Sequence, residues 1–139
     1  MIFKRTIKLN VCAFTGHRPS KLPWKQNEDA PSCIALKAAL EQQISKLVDA
    51  GIVGFFSGMA EGTDLICSDI VQRLGEKNPA IKLHCALPCV AQADKWTTSS
   101  FERYHDILTK ADSVIYVSRK AEKTAILSGT VSWSIILPC

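Results

Sequence analysis

The 139-residue chain contains no apolar stretch that approaches membrane-spanning length, so no transmembrane helix is expected. Residues 1–10 include basic side chains but no signal-peptide-like apolar run, and Val11–Phe14 is too short to serve as one. The expected location is therefore the cytoplasm. No internal repeat or low-complexity segment occurs, which removes the solenoid and disordered classes. The six cysteines include no CxxC pair. Cys12 and Cys85 fall in apolar strand patterns, Cys67 in a helix pattern, Cys33 near a helix start, and Cys89 and Cys139 in loop or tail. Buried free thiols are the expected state for such placements. A zinc site from Cys85, Cys89 and a histidine would lack paired spacing, so neither a metal nor a cofactor is expected. The Walker pattern and GxGxxG are both missing, and nothing points to ATP hydrolysis or ordinary dinucleotide binding.

What is present is an ordinary globular composition, 47% hydrophobic and 22% charged, of a length that suits one domain. The net charge of +4 and a pI near 8.8 fit an anionic ligand. They do not by themselves indicate nucleic acid.

Lys8–Thr15 is nearly continuous in apolar residues and reads as a strand buried on both faces. A loop over 16–29 follows, marked by Gly16, Pro19, Pro23 and Asn27. Pro31-Ser32 suits a helix start. Leu36, Leu40, Ile44, Leu47 and Val48 then repeat at helical spacing until Ala50-Gly51. Ile52–Ser57 is a second apolar strand, and Thr63 or a neighbour is expected to cap the next helix, whose stripe is Ile66, Ile70 and Leu74. Gly75 and Pro79 are expected to close that helix. Ala80–Leu87 is a third strand, Thr98–Lys110 a third helix and Ser113–Ser118 a fourth strand. The alternation predicts an α/β, Rossmann-like, doubly wound and mainly parallel sheet in three α/β/α layers.

Ligands of open parallel sheets bind beyond the carboxyl ends of the strands. Three segments lie there: 15–24, 57–64 and 88–96. Within Ser57-Gly58-Met59-Ala60-Glu61-Gly62-Thr63-Asp64, the glycines allow close backbone approach and the following helix offers free N–H groups. A tight turn with a helix cap accounts for the same pattern. In Thr15-Gly16-His17-Arg18, Arg18 suits a phosphate or carboxylate and His17 a hydrogen bond near neutral pH. A solvated surface loop is the competing reading. Glu61 and Asp64 are candidates for a general acid or base or for hydroxyl binding, although Asp64 also complements the helix dipole. Pro88 ends the third strand, and Lys95 and Trp96 are placed to cover a bound base; a Trp closing the sheet edge explains Trp96 equally. His84 and His105 read as structural.

The strings FTGHRP, SGMAEGTD and ALPC…KW, in that order after successive strands, resemble the YpsA/YoqJ-like family of bacterial and phage proteins. That family belongs to the SLOG superfamily of Rossmann-like proteins, with DprA/Smf and the LOG nucleotide hydrolases. The resemblance spans roughly residues 11–119. It implies a nucleotide or nucleotide-derived small molecule at the two glycine motifs, but no particular reaction. A nucleotide-processing hydrolase is one alternative, with Glu61 or Asp64 as base. The LOG motif PGGxGTxxE is missing, however, and Gly62-Thr63 matches only part of it. DprA-like single-stranded DNA binding is the other alternative, weakly supported without a basic cluster. No membrane partner is expected, and a homo-oligomer is left open.

Residues 1–120 read as the Rossmann-like domain and 121–139 as an atypical tail. Where relatives continue with a segment resembling Glu-Arg-Asn-Arg-Phe-Met-Val-Asp-His-Ser, this chain runs Thr124 to Cys139. Codons can be chosen for that tail which, in a shifted frame, spell Ser-Tyr-Leu-Glu-Arg-Asn-Arg-Phe-Met-Val-Asp-His-Ser-Ala. The tail is therefore expected to be out of frame and the sheet to lack its last strand or strands. Its edge would be exposed unless Ile135–Leu137 patches it, and part of the site would be lost. Sequencing the gene tests this: codons that do not permit the alternative reading end the idea.

Overall fold

A computed structural model describes residues 2–6, 10–117, 124–127 and 131–134. Four apolar runs form the parallel strands β2 (Val11–Thr15), β3 (Gly54–Ser57), β4 (Lys82–Leu87) and β5 (Ser113–Tyr116). Three helices connect them: α1 (Pro31–Asp49), α2 (Thr63–Lys77) and α3 (Thr98–Lys110). A further strand, β1 (Ile2–Thr6), lies antiparallel to β2, with Ile2 opposite Thr15. The five-stranded order is β1-β2-β3-β4-β5. β6 (Thr124–Leu127) and β7 (Val131–Ser134) pair antiparallel as a separate two-stranded sheet.

The Rossmann-like α/β class expected from the alternation is the one observed. The parallel strands follow chain order without reversal, and α2 packs against both α1 and α3. Right-handed crossovers between successive neighbours keep their helices on one face. The described residues thus form a sheet and one helical layer. They include neither a strand-order reversal nor a second helical layer, which a doubly wound, three-layer arrangement requires. The expected role of Ile135–Leu137 lies outside the described residues.

Helix boundaries follow local chemistry. Pro31 occupies the first turn of α1, where its missing N–H costs nothing. Gly51 follows the helix at φ +97°, the left-handed conformation that glycine adopts without strain. Thr97 caps α3 by accepting the Ser100 amide at 3.3 Å. At α2 the cap is the neighbour of Thr63, Gly62, with no side-chain capping bond. The helix runs through Gly75 to Lys77, because a single glycine weakens a helix without ending it.

The core lies between the strands and the helices. Cys12, Phe14, Phe55, Leu83, Cys85 and Leu87 meet Ile44, Leu65, Ile66, Ile70, Val71 and Ile107. The Phe14 and Phe55 rings stack with centroids 5.7 Å apart. Cys12, Cys33, Cys67 and Cys85 are buried free thiols, as their placement suggested. Cys89 departs from that expectation and is disulfide-bonded. Among the described residues, no helix is long and apolar enough to cross a membrane.

Phe55 is fully buried at the middle of this core. Phe55→Ala should lower stability by about 3–5 kcal/mol, the usual cost of emptying a packed aromatic site. Urea unfolding at unchanged slope measures it, and a loss under about 1 kcal/mol would contradict the packing described.

Candidate functional site

The parallel register brings the ends of β2, β3 and β4 to one edge, and each strand releases one of the segments singled out above. The first two segments are joined directly. The Thr63 amide and the Thr63 hydroxyl both donate to the His17 carbonyl, at 3.2 and 3.1 Å. Thr63 therefore uses its hydroxyl to hold the neighbouring loop and not to cap its own helix. Both glycines at this junction are sterically required. A Cβ on Gly16 would lie 2.6 Å from the Thr63 side chain. One on Gly62 would lie 2.7 Å from the His17 carbonyl oxygen, and φ at Gly62 is +99°. Close approach and positive φ together exclude a side chain there.

The turn after β3 is built on a buried polar network. Met59 is buried at φ +60°, an uncommon conformation for a residue of its kind. Its amide donates to Ser57 Oγ at 3.1 Å. Ser68 Oγ lies 2.9 Å from Ser57 Oγ and donates to the Asp64 carbonyl at 2.7 Å. The Ala60 amide donates to Asp64 Oδ2 at 3.3 Å. These bonds satisfy polar groups that burial would otherwise penalise, and they hold the turn open at Gly58, where an added Cβ would lie 3.4 Å from Asp64 Oδ2.

Asp64 is 9% exposed. Burial pushes its carboxyl up to about 6, against the lowering effects of the Ala60 amide and the Arg18 charge. A carboxyl in that range exchanges protons near neutral pH. Thr15, Gly16, His17 and Arg18 are exposed at the rim. An exposed cation, Arg18, thus stands near a buried carboxyl, Asp64.

The third segment contributes differently from expectation. Gln92 Nε2 donates to the carbonyls of Gly58 and Met59 at 3.1 and 3.0 Å, tying this segment to the β3 turn. Pro88 is buried and Lys95 exposed. Trp96 packs edge-on against Tyr104, with centroids 5.3 Å apart, and joins the core margin. Sequence reasoning missed Gln92, since a glutamine in a loop carries no pattern. It also missed the 19–28 segment as a positioned element. Gln26 Nε2 donates to Glu61 Oε1 at 3.3 Å. Glu28 pairs with Lys37 at 2.9 Å and with Arg103 at 2.5 Å, and Arg103 also pairs with Asp69. Burial alone would raise the Glu28 carboxyl, but Lys37 and Arg103 hold it below its usual range. Among the described residues, no group of three or more metal-ligating side chains occurs.

A Rossmann-like sheet with two interlocked glycine turns at its strand ends defines the class. The profile of the YspA SLOG family (YpsA) matches residues 12–128, and the chain belongs to that family. It is similar to the UPF0398 protein of Halalkalibacterium halodurans, 33% identical over 113 residues, covering 81% of this chain and 59% of that protein. It is also similar to the UPF0398 proteins of Bacillus pumilus, at 29% over 113 residues (81% and 60%), and Bacillus velezensis, at 29% over 105 residues (75% and 57%). The chain therefore spans about three-fifths of the length of the curated relatives it matches.

The Asp64 environment has a stability consequence. Its folded pKa, about 6, exceeds the ordinary value of 3.8, so the folded state binds the proton more tightly. Its contribution favours folding at low pH and is lost as pH rises from about 4 through about 6, a span worth about 3 kcal/mol. Asp64→Asn should remove that slope and be more stable at pH 7. Urea unfolding from pH 4 to 7 tests it; an unaltered slope would refute the buried-carboxyl assignment.

Proposed function

We propose that this chain binds a nucleotide or nucleotide-derived small molecule at the joined turns 15–18 and 57–64. The observation that carries the reading is the double glycine approach, Gly16 against Thr63 and Gly62 against His17. It brings backbone from two strand ends together at the start of α2, where the helix dipole favours a phosphate. Arg18 supplies an exposed cation beside it. Membership of the SLOG family supports a nucleotide-related ligand.

A second reading is favoured by one observation. The Asp64 carboxyl, raised to about 6 by burial, suits proton transfer in hydrolysis of such a ligand. Product formation separates the two readings: binding without turnover supports recognition alone.

A thermal-shift panel of nucleotides tests the proposal. At least one should raise Tm, as a ligand of the folded state must. Arg18→Ala should abolish that rise and leave the unliganded Tm unchanged, since the side chain is exposed. A panel with no response, or a response retained in Arg18→Ala, would overturn this site. Salt-sensitive binding of single strands in place of nucleotides would point to a nucleic-acid module.

A further inference from the structure

The turn after β3 contains two consecutive peptide units whose polar ends are all bound by side chains. In the Gly58–Met59 unit, the carbonyl accepts from Gln92 Nε2 at 3.1 Å and the N–H donates to Ser57 Oγ at 3.1 Å. In the Met59–Ala60 unit, the carbonyl accepts from the same Gln92 nitrogen at 3.0 Å and the N–H donates to Asp64 Oδ2 at 3.3 Å. A side-chain amide carries two N–H donors, so one Gln92 serves both carbonyls. Between the units stands Met59 at φ +60°, a conformation that persists where the surroundings over-determine it. Three side chains do so here, from β3, from the segment after β4 and from α2.

Gln92 reaches the turn from a firm base. Ala93 beside it is buried in the core. The Trp96 amide donates to the Ala93 carbonyl at 3.1 Å, and the Trp96 ring rests against Tyr104 of α3. We infer that Gln92 is a positioning residue for Asp64: from the segment after β4 it holds the Met59–Ala60 peptide with its N–H aimed at the Asp64 carboxylate. A peptide unit is planar, so fixing the carbonyl fixes the N–H on its other side. An N–H that donates to a carboxylate favours the charged form. The Ala60 amide thereby opposes the burial that raises the Asp64 carboxyl to about 6. Two other titratable or charged groups act on or with this carboxyl. Arg18, on the loop after β2, also lowers it, and Cys67, three residues along α2, keeps its proton because burial and Asp64 push its thiol up. The inference deepens the proton-transfer reading of Asp64 and takes its functional meaning from that reading.

The experiment is a carboxyl-carbon NMR titration of Asp64 in the wild type, Gln92→Met and Gln72→Met. Gln92→Met keeps a similar length and removes both donors, which frees the peptide to turn its N–H away. The Asp64 midpoint should rise by about one pH unit, the low end of what a hydrogen bond to a charged group is worth. Gln72 Nε2 also donates to a backbone carbonyl, that of Ile107 at 2.8 Å. Gln72→Met therefore loses the same kind of bond elsewhere and should leave the midpoint unmoved. Gln92→Asn, with its shorter arm, should raise the midpoint as well and serves if Gln92→Met fails to fold. In the wild type, the Ala60 amide-proton resonance should follow the Asp64 titration, a reading that needs no variant. An unmoved midpoint in the Gln92 variants overturns the inference. So does an equal rise in Gln72→Met, or an Ala60 resonance that ignores the titration. The thermal-shift panel reads a separate property: a panel without response removes the binding reading and leaves this linkage standing, while an unmoved midpoint does the reverse.

Discussion

The arrangement of this protein's strand-end edge depends on one short contact, the two hydrogen bonds from Thr63 to the His17 carbonyl. They connect residues 46 apart in sequence and close the gap between the ends of β2 and β3. Each partner turn contributes a glycine because neither backbone could come this near with a side chain between them. A hydrogen bond of this kind contributes modestly to net stability. Its larger effect is geometric: it decides where Arg18, Glu61 and the first turn of α2 stand relative to one another.

Around that contact the molecule concentrates features that are costly elsewhere. Asp64 is buried with a raised pKa, Met59 holds a positive φ, and Trp24 and Glu61 each keep an unpartnered buried atom. The core supplies the stability against which these costs are set. Its layer of strand and helix residues is continuous from Ile44 to Ile107. Local strain and unpaired polar atoms survive where the surrounding structure over-determines the conformation, and they cluster at functional sites.

The parts of the fold that depend on apolar periodicity could be read in advance. The four parallel strands and three helices announce themselves through runs and stripes such as Leu40 and Ile44, and α3 begins and ends at the expected residues. β1 could not be read this way. Ile2–Thr6 carries Lys4 and Arg5, which break any apolar run, and among the described residues it pairs with β2 alone. In the candidate site the glycines were legible, since their steric role is local. Its polar connections were not: Gln92 to Gly58, Gln26 to Glu61 and Thr63 to His17 join positions 34 to 46 residues apart. Such pairings arise from three-dimensional proximity, and hydropathy does not encode them. Thr63 gives its hydroxyl to the His17 carbonyl of another strand's loop, and its neighbour Gly62 is the cap of α2.

The antiparallel direction of β1 has a geometric corollary. Ile2 stands opposite Thr15, so β1 starts at the rim where β2 delivers its loop and runs away from it. Any polypeptide joined ahead of Ile2 must leave from that same rim. A fusion partner or affinity tag placed there would be tethered within reach of Arg18 and the joined turns, at high local concentration. Residues added ahead of this strand therefore become neighbours of the joined turns.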